Sequence, residues 1–465
     1  MNKIQNIKLS ITQNIAKYIE KYFPSPLSIA LLLTLLSLCM AYFFSSNPAD
    51  VSHAINIMTY WRDGVWNESL LVFGYQMMLI LVLGHILALS QPAEFLLSKL
   101  TSFANSISSA VVLVSFLTIL VAYFNWGLGL IFGALLVRKI GEKFKQENKD
   151  MNYPLLGAAG YVGMLVWHGG LSGSAPLKVT EENHLSSFYS TEKVIGFGTE
   201  FWSQVSTSET IFSIQNLLVS LSLLLLIPLF LYYLSKKKNS GYPLPDFNEV
   251  IPSIKFSDIH PLDRSKLATK FVGLLLFIIF IVTYKEQLLK LEITPNLLNF
   301  LMLSLCFLLH SNLISFSKAL GEAIKGASGI LIQFPLYFGI MGVMSQSGMV
   351  EQLAQFFIEI STQETLPIFT FLSAGLVNIF VPSGGGQWAI QGPIIVEAAI
   401  GKGVELPTTI MAFAYGDQVT NMLQPFWALP LLGITKLKAK QIFPYTFALF
   451  FVGSFVFILA LFFIY

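Results

Sequence analysis

The charges of this 465-residue chain fall in short clusters, and between them run apolar stretches of about 17–25 residues, the length of a helix that crosses a bilayer. Only 12% of the residues are Asp, Glu, Lys or Arg, against about 25% in a soluble domain. Backbone polar groups in hydrocarbon must be satisfied within the protein, so runs of this length fold as helices. The chain therefore reads as an all-α polytopic membrane protein. Its 40 Phe residues suit lipid-facing helices better than a wet surface. A net charge of +2 gives no electrostatic footprint for nucleic acid. Cys39 and Cys306 lie inside apolar runs and read as packing residues. No His, Cys and carboxylate set has metal-ligand spacing, so neither metal nor cofactor is expected beyond a coupling ion.

Basic clusters orient the chain. Arg138 to Lys149, Lys236 to Lys270, and Lys436 to Lys440 place their loops in the cytoplasm together with the N-terminus. Residues 1–27 read as an amphipathic segment on the cytoplasmic surface, because Ile4, Ile7, Ile11, Ile15 and Ile19 recur at helical spacing. The acidic segment after Leu177 reads as outside, as do the loops between Gly326 and Gly401, where Lys and Arg are absent. Outward spans are expected at 28–44, 154–177, 268–284, 329–346 and 443–464. Return spans are expected at 69–90, 213–234, 297–313 and 407–434. Residues 28–235 form the first transmembrane half, 236–267 a cytoplasmic linker, and 268–465 the second half. The reading is of a multi-pass protein in a bacterial inner membrane.

Two apolar stretches, 108–137 and 366–398, begin and end on the same side. Each is interrupted by a Gly-rich midpoint, Asn125-Trp126-Gly127-Leu128-Gly129 and Pro382-Ser383-Gly384-Gly385-Gly386-Gln387. Limbs of about 15 residues are short for full crossings, so both stretches read as re-entrant helical hairpins. At an offset of 257, Glu94 falls on Glu351, Gly127 on Gly384 and Gly129 on Gly386. At 254, Ala158 falls on Ala412, Tyr161 on Tyr415, Pro176 on Pro430 and Leu177 on Leu431. The first hairpin enters from the cytoplasm and the second from outside, which describes two inverted-topology repeats, the internal symmetry of many secondary transporters. Each repeat holds a hairpin followed by a discontinuous transmembrane helix.

The segments after the hairpins carry the chemistry. Trp167-His168-Gly169-Gly170-Leu171-Ser172-Gly173-Ser174-Ala175-Pro176 cannot hold a regular helix. Gly416-Asp417-Gln418-Val419-Thr420-Asn421-Met422-Leu423-Gln424-Pro425 is too polar for a lipid-facing one. Both read as helices unwound at the bilayer centre, where half-helix N-termini and glycine nests meet an anion without any Arg or Lys. The expected substrate-binding residues are Asn125, Gly127, His168, Gly170, Ser172, Gly173, Ser174, Ser383, Gly384, Gly385, Gly386, Gln387, Asn421 and Gln424. Asp417, His168 and Thr420 are expected to handle a coupling ion, either H⁺ or Na⁺. An intramembrane carboxylate such as Asp417 is costly and usually functional; the plainer reading is a structural hydrogen-bonding acid. The glycine tips have a plainer reading as helix-packing surfaces. His85 and His310 read as core residues and Glu397 as interfacial. Trp126, Trp167 and Trp388 are placed to wall an acyl tail.

Asn125-Trp126-Gly127, Trp167 to Ser174, and Val381-Pro382-Ser383-Gly384-Gly385-Gly386-Gln387-Trp388 resemble the short-chain fatty acid transporter family, and the resemblance covers nearly the whole chain. It implies a short-chain fatty acid anion such as acetoacetate or butyrate as substrate, an elevator mechanism and a homodimer. Other classes compete. A Na⁺-coupled carrier of another small carboxylate fits the same polar set. Gly170-Leu171-Ser172-Gly173 matches the GxSG pattern of intramembrane serine proteases, with His168 nearby. That reading leaves the second hairpin and the repeat unexplained, so no catalytic residues are expected. A channel is the remaining class.

Overall fold

The computed structural model describes residues 24–45, 51–189, 191–198, 202–236, 244–247, 260–289 and 294–465. The amphipathic segment expected at 1–27 lies almost wholly outside the described residues, as does most of the 236–267 linker. The principal helices of the first half are α1 (Pro26–Phe44), α2 (Val51–Val65), α3 (Glu68–Ala88), α4 (Gln91–Thr101), α5 (Ile107–Phe124), α6 (Trp126–Gln146), α7 (Tyr153–Ala159), α8 (Ser174–Lys178) and α9 (Ile214–Ser235). Those of the second half are α10 (Lys266–Thr283), α11 (Pro295–Leu309), α12 (Leu313–Gln346), α13 (Met349–Glu359), α14 (Leu366–Phe380), α15 (Gly384–Lys402), α16 (Leu406–Thr420), α17 (Pro425–Thr435) and α18 (Ala439–Phe463). Among the described residues the regular elements are all helical. Among the described residues, seven helices or helix segments are long and apolar enough to cross a membrane: α1, α3, α5, α9, α10, residues Ala327–Gln346 of α12, and α18. The protein is an all-α, multi-pass membrane protein.

Helix starts follow from local chemistry. Ser25, Asn67, Ser213, Ser265 and Thr294 each accept a backbone N–H from the first turn that follows them, which satisfies donors that have no intrahelical acceptor. Ser106 and Asn312 form reciprocal capping boxes with Ser109 and Ser315. α2 was not expected from the sequence. It crosses α12 closely: a methyl on Gly64 would meet the Phe338 carbonyl and lie 2.9 Å from Gly342 Cα, the small-residue contact that lets transmembrane backbones approach.

Each of the two stretches expected as hairpins is a helix–break–helix, α5–α6 and α14–α15. Asn125 alone breaks the first, and Val381-Pro382-Ser383 breaks the second. The limbs of the first, at 18 and 21 residues, exceed the expected 15. Ser106 starts α5 at the edge of the apolar run, and α6 continues past it through Arg138, Lys139 and Lys143, so its last turns are charged. An 11-residue helix precedes each hairpin, α4 in one case and α13 in the other.

The segments that follow differ. After α7 and a single 3₁₀ turn at Val162–Leu165, the chain is irregular until α8, which has five residues. In the second half α16 stays helical through Asp417 to Thr420, and only Asn421–Gln424 departs from it. The expected unwinding from Gly416 is thus corrected. Gly416 is there for close packing, since a methyl on it would meet the carbonyl of Phe371 in α14. The break falls at Gln424 (φ −101, ψ 120) because a residue before proline is pushed out of the helical region.

Two expectations follow. In a variant lacking Cys39 and Cys306, single cysteines at the exposed positions Ser206 and Gln363 react with an impermeant thiol reagent added outside, and cysteines at Glu147 and Lys438 do not. Inside labelling at Gln363 would contradict the threading. Gly416→Ala wedges α14 from α16 and costs about 1–3 kcal/mol, read as a lowered unfolding temperature in detergent.

Candidate substrate and ion site

The first hairpin tip is knitted to the irregular 166–173 segment by main-chain groups. Asn125 Oδ1 accepts the Leu128 N–H at 2.9 Å and so caps α6. The Trp126 N–H donates to Ser172 Oγ at 3.0 Å, and the Leu171 N–H donates to the Tyr123 carbonyl at 2.8 Å. A methyl on Gly170 would meet that same Tyr123 carbonyl, and one on Gly173 would meet the His168 carbonyl. Asn125, Gly170, Ser172 and Gly173 thus build the framework of the break. Gly127 faces Ile80 and Leu298, at 3.6 and 3.8 Å from its missing Cβ, rather than the second tip.

The second tip presents the start of α15 to the same segment from another direction. Ser383 Oγ accepts the Gly386 N–H at 3.3 Å. The Gly384 and Gly385 amides belong to the first turn and have no intrahelical acceptor. Gly384 is pressed against the break: a methyl there would lie 2.8 Å from His168 Cε1 and 2.9 Å from Trp167 Cη2. Gly385 is exposed, and its missing Cβ has nothing nearer than Ser174, at 3.8 Å. Gly386 borders Met341, at 3.5 Å. Gln387 braces the hairpin itself, donating to Ala374 O at 2.8 Å and to Gln391 Oε1 at 2.7 Å. The two tips therefore meet through residues 167–174.

His168 and Asp417 join the two halves of the chain. The His168 side chain is fully buried, and its Nδ1 lies 2.5 Å from Asp417 Oδ2. The Ala175 N–H donates to His168 Nε2 at 3.1 Å. An amide N–H can only donate, so Nε2 presents its lone pair and the single ring proton sits on Nδ1, directed at Asp417. The ring is neutral in this arrangement. The second carboxylate oxygen, Asp417 Oδ1, is buried without a hydrogen-bond partner. The Gln418 side chain holds the break in place, accepting the His168 N–H at 2.9 Å. Asn216 supports it from α9 by donating to the Gly169 carbonyl at 2.8 Å.

A second polar group lies on the other side of Asp417. Asn378 Nδ2, two residues before the end of α14, reaches the Asp417 carbonyl at 2.6 Å, Thr420 Oγ1 at 2.9 Å and Asn421 Oδ1 at 3.0 Å. Gln424 Nε2 donates to the Asn378 carbonyl at 2.8 Å, and Tyr161 OH donates to the Asn421 carbonyl at 2.9 Å. Asn378 Oδ1, Asn421 Nδ2 and Gln424 Oε1 remain buried without partners. The sequence singled out Thr420, Asn421 and Gln424, and missed Asn378, Gln418, Asn216 and Tyr161. The one available signal was a polar residue in an apolar run.

The aromatic residues divide. Trp126 packs edge-on against Trp167, with centroids 6.2 Å apart, and against Trp427, at 5.1 Å. Trp388 turns away: its Nε1 donates to His184 Nε2 at 3.1 Å, and its ring meets Phe413. Trp427 takes the place in this wall that the sequence reading gave Trp388. The hydroxyl of Ser172 is bound to the tip, and both His168 nitrogens are taken by other groups, so this geometry gives no serine–histidine pair. His85 is more than a core residue. Its Nε2 accepts from Arg138 Nη1 at 2.9 Å, and Arg138 also pairs with Glu322 at 2.6 Å and Glu142 at 3.0 Å. His310 Nε2 meets the Ile86 carbonyl at 2.9 Å, as a core residue does.

Comparison with known proteins bears on the same elements. Chains similar to this one include a protein of Escherichia coli (strain K12) named as a candidate short-chain fatty acid transporter, 33% identical over 462 residues, 97% of this chain and 98% of that one. A protein of Haemophilus influenzae (strain ATCC 51907 / DSM 11121 / KW20 / Rd) carries the same name and is 32% identical over 465 residues, 98% of this chain and 99% of its own. Among solved structures, the crystal structure of the Alcanivorax borkumensis YdaH transporter aligns with a TM-score of 0.42 and 15% identity, over 94% of this chain and 97% of that one. The family model described as "Short chain fatty acid transporter" matches residues 7–464, so both hairpins, both breaks and the His168–Asp417 pair lie within the match, and the chain belongs to the short chain fatty acid transporter family.

Proposed function

We propose that this protein is a secondary active transporter that imports short-chain fatty acid anions, such as acetoacetate or butyrate, by H⁺ symport across a bacterial inner membrane. The observation that carries the reading is the placement of a buried, acceptor-rich pair, His168–Asp417, directly against the first turn of α15. That turn offers the Gly384 and Gly385 amides, with the Ser174 hydroxyl beside them. Helix N-termini and glycine nests attract anions, and no Lys or Arg belongs to these segments. The carboxylate is held there, and the coupling proton is held on Asp417 Oδ1, the oxygen without a partner. Neutral His168 keeps its Nδ1 proton on Oδ2 and fixes the carboxyl in place. In this scheme the site residues are those expected from the sequence, with Asn125, Gly170, Ser172, Gly173 and Gln387 shaping the site and Gly384, Gly385, Ser174 and Asn421 facing the ligand. Inverted repeats, an elevator-type movement of the two hairpins and a homodimeric assembly complete the proposal.

Charge decides the need for coupling. An anion entering a cell whose interior is negative moves uphill by about 2.3 kcal/mol per 100 mV. One H⁺ per monocarboxylate makes the cycle electroneutral. A second reading is Na⁺ coupling, favoured by the orphaned oxygens Asn378 Oδ1 and Gln424 Oε1 beside Thr420 and Asn421, since unwound backbone and amide oxygens ligate Na⁺ in transporters.

Asp417→Asn mimics the protonated acid. It is expected to bind and exchange butyrate across proteoliposomes while losing accumulation driven by an imposed pH gradient. Continued accumulation, or wild-type uptake driven by a sodium gradient at constant pH, overturns the proton assignment. Gly385→Val fills the open side of the cradle and abolishes butyrate binding, with insertion and unfolding temperature unchanged. Ser174→Ala removes one donor to a charged ligand and weakens binding by about 1.5–3 kcal/mol. Full butyrate affinity in purified Gly385→Val moves the site elsewhere.

A further inference from the structure

Trp167 holds a polar atom that the fold leaves unused. The residue is 4% exposed, and its Nε1 is buried with no hydrogen-bond partner. An indole N–H only donates, and buried donors in folded proteins are nearly always paired. Its neighbours do not supply an acceptor. The His168 ring stacks on it at 4.5 Å, but both nitrogens of that ring are committed to Asp417 and Ala175. Trp126, its other aromatic neighbour, has an indole with the same donor-only chemistry. The edge of the Trp167 ring lies against Gly384, 2.9 Å from where a methyl would stand, so the indole borders the first turn of α15 that holds the carboxylate in the function proposed above.

We infer that Trp167 is a specificity-determining residue whose Nε1–H donates to an oxygen on the substrate's carbon chain. The inference rests on that proposed carboxylate site. A saturated short acid has only its two carboxylate oxygens as acceptors, and the Gly384 and Gly385 amides with Ser174 serve these. The donor on Trp167 then stays unpaired when such an acid binds, which is the unfavourable case for a buried polar group. An acid that carries an oxo or hydroxyl oxygen on its chain pairs it. The preferred substrate class is therefore a short oxo or hydroxy acid rather than the saturated acid of equal length. A pocket built around a hydrogen bond discriminates against the analogue that lacks the partner atom.

The test compares three four-carbon acids, butyrate, 3-hydroxybutyrate and acetoacetate, as competitors of labelled butyrate uptake in proteoliposomes and as ligands of the purified protein. In the wild type the oxygenated acids are expected to bind about tenfold more tightly than butyrate, the effect of one neutral hydrogen bond at the upper end of its range. Trp167→Phe keeps an aromatic ring without the N–H, and is expected to bring the ratio of affinities close to one. Equal wild-type affinities for the three acids overturn the inference without requiring any variant to fold. An unchanged ratio in Trp167→Phe, or an equal loss for all three acids, overturns it too, by assigning the N–H to packing or to the carboxylate. If none of the acids competes in the wild type, the carboxylate site itself falls, and this inference with it.

Discussion

A broken helix inside a membrane protein is possible only when the fold supplies the hydrogen bonds that the helix has given up. Hydrocarbon offers none, and each orphaned main-chain group costs several kcal/mol there. Residues 166–173 contain such a break, and the surrounding structure reads as a set of answers to it. The Leu171 N–H goes to Tyr123 of the first hairpin tip, and Ser172 takes the Trp126 N–H in return. The His168 N–H goes to Gln418 of α16, and the Gly169 carbonyl to Asn216 of α9. Tyr161 satisfies the Asn421 carbonyl at the matching break in the second half. Each partner comes from a different element, so the break fixes how α5, α6, α9 and α16 sit around it. The convergence of elements that makes a site is thus also the condition for the backbone to be there at all.

Much of this was legible in the sequence, and what was not has identifiable causes. Run length and Gly-rich midpoints located both helix breaks, because crossing a bilayer and breaking a helix each leave a compositional mark. α2 left none: His53, Arg62 and Asp63 interrupt its apolar pattern, and it is recognisable only through Gly64 meeting α12. Gly416 misled. A glycine amid polar residues signals a break, but here it permits the close approach of α14, and the helix runs on through Asp417. Asn378 was invisible for a different reason. It is a single polar residue in an apolar limb, and its importance appears only when Asp417, Thr420 and Asn421 are brought to it by tertiary packing. The His168–Asp417 pair spans 249 residues; the sequence assigned both members to the coupling ion but not their direct contact.

The distribution of charge sharpens the contrast between the candidate site and the rest of the molecule. Arg138 is buried, and it is clasped by Glu142, Glu322 and His85, with Lys139 bridging to Glu94 alongside. A buried cation without such partners would be strongly destabilising. Those pairs connect α6 to α3, α4 and α12. Around His168 and Asp417 the chain does the opposite. It assembles amides, hydroxyls and carboxamides, and leaves Asp417 Oδ1, Asn421 Nδ2 and Gln424 Oε1 without partners. The first cluster is closed by matched ions, whereas the second keeps buried polar atoms without partners.

That difference has a kinetic meaning for a carrier of small anions. A helix N-terminus contributes up to about 2 kcal/mol to an anion in a partly buried setting, and a hydrogen bond to a charged group about 1.5–3 kcal/mol. A few such contacts, less the cost of holding a small ligand in place, reach the region of −4.1 kcal/mol that corresponds to a dissociation constant of 1 mM. A guanidinium gripping the carboxylate through two bonds would bind more tightly, and differences in affinity among related complexes lie mostly in the dissociation rate. Tight binding would therefore slow release on the far side of the membrane. An uncharged cradle makes the opposite compromise, giving up affinity for an anion that leaves readily. On the proposed symport, it would also leave the neutralisation of that anion to the ion that travels with it. In the proposed scheme, the absence of Lys and Arg from these segments and the presence of a buried, half-satisfied carboxylate are two sides of one arrangement, in which a coupling ion rather than the protein would balance the substrate's charge.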